Sequence, residues 1–327
     1  MTNPGGADDV LPYFPFERDT YAMELGVRAM RADEPLIEVD EAHYRDELAR
    51  KEALLAERHH ARFQAAPGSE PLQWETVTLL LREMARQHPR HFTLETQGER
   101  WRWHNHLLGT ETTFTPGEVD SLPCAPLDWL GRQVQEDLLL MDGVREEAPL
   151  VAGQLCFPSG WCLDEKMGRS LLAIHAPVPH FEEEIGRSTL LLMKGLKPGR
   201  PVTRVNWALT VTDRLDLEPS SRAEWQHLFE GITERNAGER CFLRLERQTL
   251  TRLPRTRAIL FTIHTYRAPL ATEVREASRR RRLASVLRTV PADTLAYKRI
   301  SPFLSPLLGW LERSTSSSSG EGNAVTR

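Results

Sequence analysis

The chain has no apolar run approaching the roughly 18 residues that a bilayer-spanning helix requires. Its first ten residues, MTNPGGADDV, have neither a basic start nor an apolar stretch. No membrane anchor or signal peptide is expected, and the cytoplasm is the default compartment. An excess of positive charge is lacking too, because 42 Lys and Arg stand against 46 Asp and Glu for a net charge of -4. Nucleic-acid footprints are normally basic, so nucleic acid is not an expected partner. Cysteine is scarce, with Cys124, Cys156, Cys162 and Cys241 the only four. Five residues separate Cys156 from Cys162, a poor match to zinc spacing. These cysteines read as reduced, mostly buried thiols, with a thiolate ligand as the alternative. Also absent are GxGxxG before a helix, GxxxxGK[ST], HExxH and GxSxG. A nicotinamide domain, a phosphate loop, a zincin and an α/β-hydrolase therefore lose support.

What is present alternates between two periodicities. At 327 residues the chain suffices for one large domain or two modest ones. Residues 1–20, rich in Pro, Gly and aromatics, read as an ordered arm. Residues 40–64 and 71–87 show helical stripes, the first through Tyr44, Leu48, Leu54 and Leu55. The segment FTLETQGERWRWHNHLL then alternates about Gln97-Gly98 and predicts a β-hairpin. Trp101 and Trp103 share one of its faces, His104 and His106 the other. A helix is predicted over 129–140 and a strand over 150–156. A further helix is predicted from Asp164 to His175, and another over 181–196. Three strands follow over 202–212, 241–252 and 258–266. A basic helix, REASRRRRLASVL, leads to a proline-broken SPFLSPLLGWL and a low-complexity, disordered tail over 313–327. The order predicts an α+β fold with an antiparallel sheet.

The segment LLAIHAPVPHF places His175 at the end of an apolar helical pattern, where Pro177 and Pro179 force the chain to leave the helix. An imidazole fixed beside a rigid turn suits ligation of a metal or haem iron. A histidine hydrogen-bonded at a core edge is the competing explanation. On the strand VTRVNWALTV, Arg204, Asn206 and Ala208 share one face and Val205, Trp207 and Leu209 the other. A cation and an amide on one face suit either a lined pocket or a solvated sheet. In LRLERQTLTRLP, Arg244, Glu246 and Gln248 share a face opposite Arg247. A buried Arg247 demands a carboxylate or another anion, met by a strand-to-strand ion pair, a substrate carboxylate or a haem propionate. Tyr266 is a candidate hydrogen-bond donor to bound oxygen or substrate.

These residues resemble a known family. MELGVRAM with PLIEVDEAHYRDELARKEALL, FPSGW with EKMGRSLLAIHAPVP, VTRVNWAL, and LRLERQTLTRLPRTRAILFTIHTY are together similar to the haem-binding subunit of haem-dependent oxidative N-demethylase and its relatives. The likeness spans roughly residues 11–270, and IHAPVP and ERQTLTRLP are its most specific strings. It implies a PAS-like antiparallel sheet flanked by helices, with an N-terminal helical extension. Residues 21–270 would form this single haem-binding domain, and 271–312 would add the basic helix and proline-broken segment.

It also implies a haem b monooxygenase that removes a methyl group from a small secondary amine such as dimethylamine, using oxygen and releasing formaldehyde. Electrons would come from NADPH through separate flavin and iron–sulfur proteins, for which this chain carries no recognisable sites. His175 would be the axial iron ligand, Arg247 and Arg252 the propionate partners, and Trp207 part of the cofactor wall. Arg204, Asn206, Glu246 and Tyr266 would line the distal pocket. Glu246 is the natural partner for an ammonium substrate, but it shares no strand face with Arg247. A haem-binding sensor and a haem-free scaffold protein are the alternatives. The run Arg279–Arg282 is either a dock for an acidic reductase or a solvated helix face.

Overall fold

A computed structural model describes residues 10–316 of the chain. In chain order, β1 (Arg28–Ala29) precedes α1 (Tyr44–Glu57), β2 (Phe63–Ala65) and α2 (Glu70–Gln87). A three-stranded meander follows, made of β3 (Phe92–Gln97), β4 (Arg100–Asn105) and β5 (Thr110–Phe114). Next come α3 (Pro126–Gly131), β6 (Asp137–Met141), β7 (Leu150–Gln154), α4 (Leu171–His175) and α5 (Arg187–Gly195). The long strands β8 (Val202–Thr210), β9 (Phe242–Arg252) and β10 (Ile259–Pro269) complete the main sheet. Helices α6 (Ala277–Thr289), α7 (Ala292–Tyr297) and α8 (Leu304–Ser316) close the described chain. The main sheet is antiparallel throughout, in the order β1-β8-β9-β10-β6-β7-β2. The fold is thus mixed helix and antiparallel sheet, as the two periodicities predict.

Departures from the expected elements have local causes. The helix over 40–64 ends at Arg58, whose φ of -144° and ψ of 68° break the spiral, and Phe63–Ala65 pairs with β7 instead. The helix over 129–140 stops at Gly131, where any side chain would collide with Gln154. The leucines that follow form β6, buried on both faces, and a short apolar run of that kind has no periodicity to distinguish strand from helix. The helix from Asp164 is interrupted at Gly168, whose φ of 74° is left-handed, and restarts at Ser170, whose hydroxyl caps the Ala173 amide. In SPFLSPLLGWL the helix is unbroken from Leu304, because Pro306 falls in its first turn, where the missing N–H has no partner to lose. Residues 1–9 of the expected arm and 317–327 of the expected tail lie outside the described residues, and 313–316 finish α8.

The apolar residues gather on both sides of the main sheet. One face packs against α1, α2 and the meander through Leu138, Leu140 and Leu260, with Trp103 and Trp129 deep in that cluster. Toward the start of β9 the same face meets α6 and α8 and the arm residue Phe16 through Leu209, Leu243 and Leu245. The opposite face carries Leu139, Leu250, Ile259 and Ile263 beneath α4 and α5. The basic helix is absorbed into this packing: the Arg279 guanidinium lies over Phe14, Arg280 over Trp310, and Arg282 pairs with Asp19. In the meander, His104 and His106 stack at 6.0 Å on the outer face, and His104 lies near Glu95 and Glu111.

One buried carboxylate fastens the helical layer to the sheet. Glu75 of α2, only 3% exposed, accepts the backbone amides of Arg255 and Thr256 at 2.7 Å each, in the turn between β9 and β10. Burial alone would raise its pKa, but the bonds from Thr256 and Arg255 outweigh that and hold it below its ordinary 4.5. A lowered folded-state pKa stabilises above the unfolded value, and that contribution is lost as pH falls through the folded one. Glu75→Ala is expected to cost on the order of 2 kcal/mol in urea unfolding near neutral pH. The gap from wild type should narrow as the pH is taken below 4.5.

Candidate functional site

Strand alternation sorts the polar residues of β8, β9 and β10 onto two faces. In register, Asn206 stands opposite Glu246 and Arg204 opposite Gln248, while Val205 stands opposite Arg247 and Leu245 opposite both Trp207 and Tyr266. The pairing runs without a bulge between β8 and β9, so Arg204, Asn206, Glu246 and Gln248 share the face beneath α4. Arg247 and Tyr266 point the other way.

On the α4 side the arrangement is a polar floor under a histidine. His175 Nδ1 lies 2.9 Å from the carbonyl oxygen of Leu171, which can only accept, so Nδ1 carries the proton. That tautomer leaves Nε2 with a bare lone pair, the form that binds a metal. Phe181 stacks on the ring at 4.4 Å and 12°, holding its plane, and the two residues flank the prolines that force the chain back. Burial lowers the His175 pKa against the Leu171 bond, with Lys166 and Arg204 lowering it further, so the ring is neutral at pH 7. Below it, Glu246 Oε2 accepts the side-chain amides of Asn206 at 3.3 Å and Gln248 at 3.0 Å, and Oε1 lies 3.7 Å from Arg244 Nε.

Arg204 has no such settlement. Its Nε is buried without a hydrogen-bond partner, and burial lowers the guanidinium pKa while only Glu246 and Tyr21 offset it. His180, just past the prolines, pairs with Asp293 of α7 at 2.7 Å. From the end of α7, Lys298 donates to the Trp207 carbonyl at 2.8 Å with its ammonium over the indole at 4.4 Å. The Trp207 ring itself lies on the opposite face with Leu245 and meets Phe16. Nothing in LAYKRI distinguishes Lys298 from a solvated surface lysine, because its position depends on α7 crossing the sheet edge.

The opposite face carries a denser network, although Glu136 Oε2 and His264 Nε2 are buried there without a hydrogen-bond partner. Glu38 accepts hydrogen bonds from the hydroxyls of Tyr13 and of Tyr266, the latter at 2.5 Å, and its Oε1 is 3.1 Å from Arg247 Nε. Arg247 also donates to the carbonyls of Pro35 and Leu36. His264 stacks on Tyr266 and pairs with Glu136 at 3.1 Å. Arg247 and Tyr266 are therefore apart from His175, and their polar atoms are engaged. Arg252 lies beneath α5, where its guanidinium donates to the carbonyls of Gly143, Met193, Leu196 and Arg257. Of the eight residues singled out from the sequence, the structure places His175, Arg204, Asn206 and Glu246 on the α4 side, and separates Arg247, Arg252, Tyr266 and Trp207 from them.

All four cysteines are free, and burial pushes the thiols of Cys124, Cys156 and Cys241 up to about 12, which keeps them protonated. Among the described residues no three His, Cys, Asp or Glu side chains gather to hold a bare metal ion. A haem brings its own four nitrogens and asks one axial ligand of the protein. His175 offers that lone pair, and the unpartnered Arg204 offers a cation to a haem carboxylate, so the residues present fit the group.

Removing the anion from the opposite face provides a control on this division. Glu38→Ala strands the buried Arg247 and is expected to destabilise the protein by about 3 kcal/mol or more in urea unfolding. A loss below about 1 kcal/mol would mean that the guanidinium is adequately held by carbonyls alone.

The profile described as haem-dependent oxidative N-demethylase, alpha subunit-like, matches residues 26–308, a span that includes α4, the whole main sheet and Lys298. No helix among the described residues is long and apolar enough to cross a membrane. With a match over most of its length, the chain belongs to the haem-dependent oxidative N-demethylase alpha subunit-like family.

Proposed function

We propose that this protein is the haem b-bearing terminal oxygenase of an N-demethylating system. Its substrate is a small secondary amine such as dimethylamine, and formaldehyde is released. NADPH supplies electrons through separate flavin and iron–sulfur proteins, and the cytoplasm is its compartment. The observation that carries this function is the His175 imidazole, neutral and fixed by Leu171 with its Nε2 lone pair unclaimed by any hydrogen bond, in a chain of the haem-dependent family.

The sheet supports a PAS-like domain within residues 21–270. The neighbours β7, β6, β10, β9 and β8 place the first two strands beside the last, and α4 and α5 lie on one face in the connection from β7 to β8. This is the arrangement in which PAS modules enclose a ligand between sheet and helices.

Bound at His175, haem would supply the activation of oxygen needed to oxidise an N-methyl carbon. The chain's own residues supply the rest. His175 would hold the haem through Nε2, and Phe181 fixes the imidazole plane. Glu246, 8% exposed, is the carboxylate that a protonated amine would meet. Asn206 and Gln248 donate to its Oε2 and hold that oxygen in place, and Oε1, 3.7 Å from Arg244 Nε, would be the acceptor for an ammonium N–H. The oxidised product collapses to amine and formaldehyde without needing a nucleophile from the protein.

The test begins with absorption spectra of the protein expressed with haem supplied. Wild type should show an intense Soret band that shifts or disappears in His175→Ala, and with a chemical reductant such as dithionite-reduced flavin supplied, oxygen uptake should depend on added secondary amine. Glu246→Gln should raise the KM for the amine on the order of tenfold or more while leaving the Soret band in place. A haem spectrum without amine-dependent oxygen uptake would favour the sensor alternative. A well-folded protein with no Soret band would leave the scaffold alternative.

A further inference from the structure

We propose that the recess between segment 222–230 and the turn after α7 is a second binding site, for a small organic anion whose carboxylate or phosphate is held by Arg222 and Arg299. It goes beyond the haem function and does not depend on it. The recess holds about 550 Å³, within the roughly 300–1,000 Å³ common for small-ligand sites. No residue lining it takes part in the site around His175.

Arg299 carries the argument. As α7 ends, the Arg299 amide donates to the Ala296 carbonyl at 3.0 Å and the Ile300 amide to the Leu295 carbonyl at 2.9 Å. That pair of bonds places Arg299 where a helix end favours a left-handed glycine, and its φ is indeed 59°. A long side chain there is kept at a cost in backbone strain, and such strain gathers at ligand sites. The guanidinium is also held in place. It lies against Gly160, where an added Cβ would stand 3.2 Å from Arg299 Nη2, and its Cζ is 5.8 Å from the ring centroid of the buried Trp225. Neither neighbour uses its N–H groups. Among the described residues no hydrogen bond or ion pair engages the guanidinium of Arg299 or of Arg222, so both keep their donors for a ligand.

The lining sets the ligand's chemistry. Two guanidinium groups share the recess with one carboxylate, Glu230, so the favoured ligand is an anion. Guanidinium forks match the paired oxygens of carboxylate and phosphate. Beside them Ala296, Pro302 and Phe229 make an apolar wall, and Phe229 is backed by Phe303 in a stack at 5.8 Å and 12°. An inorganic ion would leave that wall in water, whereas the body of an organic anion covers it.

Calorimetric titration of the full chain with phenyl phosphate, benzoate and inorganic phosphate tests the site. At least one of the two organic anions should bind saturably with one site per chain, and the tighter of them identifies the head group. Arg299→Gly and Arg222→Gln should each weaken that anion about tenfold or more, while His175→Ala binds it as wild type does. Glycine suits the backbone at position 299, so Arg299→Gly should keep a cooperative thermal transition and separate lost binding from lost folding. No saturable binding of either organic anion would overturn the proposal, as would wild-type affinity in either arginine variant. Inorganic phosphate binding as tightly as the organic anions would overturn it too, because the apolar wall would then contribute nothing. Loss of binding in His175→Ala would overturn it by placing the anion on the α4 side of the sheet.

Discussion

Two faces of one sheet carry buried charge, and the separation of those charges is the constraint on which the rest of the structure depends. Strand alternation in β9 sends Glu246 to one side and Arg247, the next residue, to the other. On the Arg247 side the charge is fully answered by Glu38, two tyrosine hydroxyls and two backbone carbonyls. On the Glu246 side, Arg204 keeps a buried Nε without a hydrogen-bond partner. A satisfied network rigidifies a core.

The elements outside the main sheet serve that distinction. The arm delivers Tyr13 to Glu38 and Phe16 to Trp207, so it completes the network around Arg247 and steadies β8. Glu75 ties α2 to the β9–β10 turn, and α6 and α8 bury the start of β9. The C-terminal segment that includes α7 reads as an appendage in the sequence, yet it supplies Lys298 and, through Asp293, a bridge to His180. The span of the family match, ending at residue 308, includes α7.

Much of this was legible in the chain itself. The two-residue period placed Arg204 with Asn206, and Glu246 apart from Arg247, and the register keeps those groupings. The prolines after His175 required the chain to leave the helix there, and α4 does end at His175. Local patterns fail where one apolar run suits two structures, and so 138–140 is a strand inside an expected helix. They fail again where a glycine or a single backbone angle cuts a regular pattern short, at Arg58, Gly131 and Gly168.

The sequence by itself determined which side chains travel together along a strand and which histidine ends a helix, because those follow from local geometry. It also carried the family likeness. Only the tertiary structure decided how each face is partnered, since that depends on residues far along the chain. Glu38 reaches Arg247 across 209 positions, and Lys298 reaches the Trp207 carbonyl across 91. No periodicity encodes such contacts. The candidate site lies on the α4 side of the sheet, where the His175 turn covers the polar face of β8 and β9.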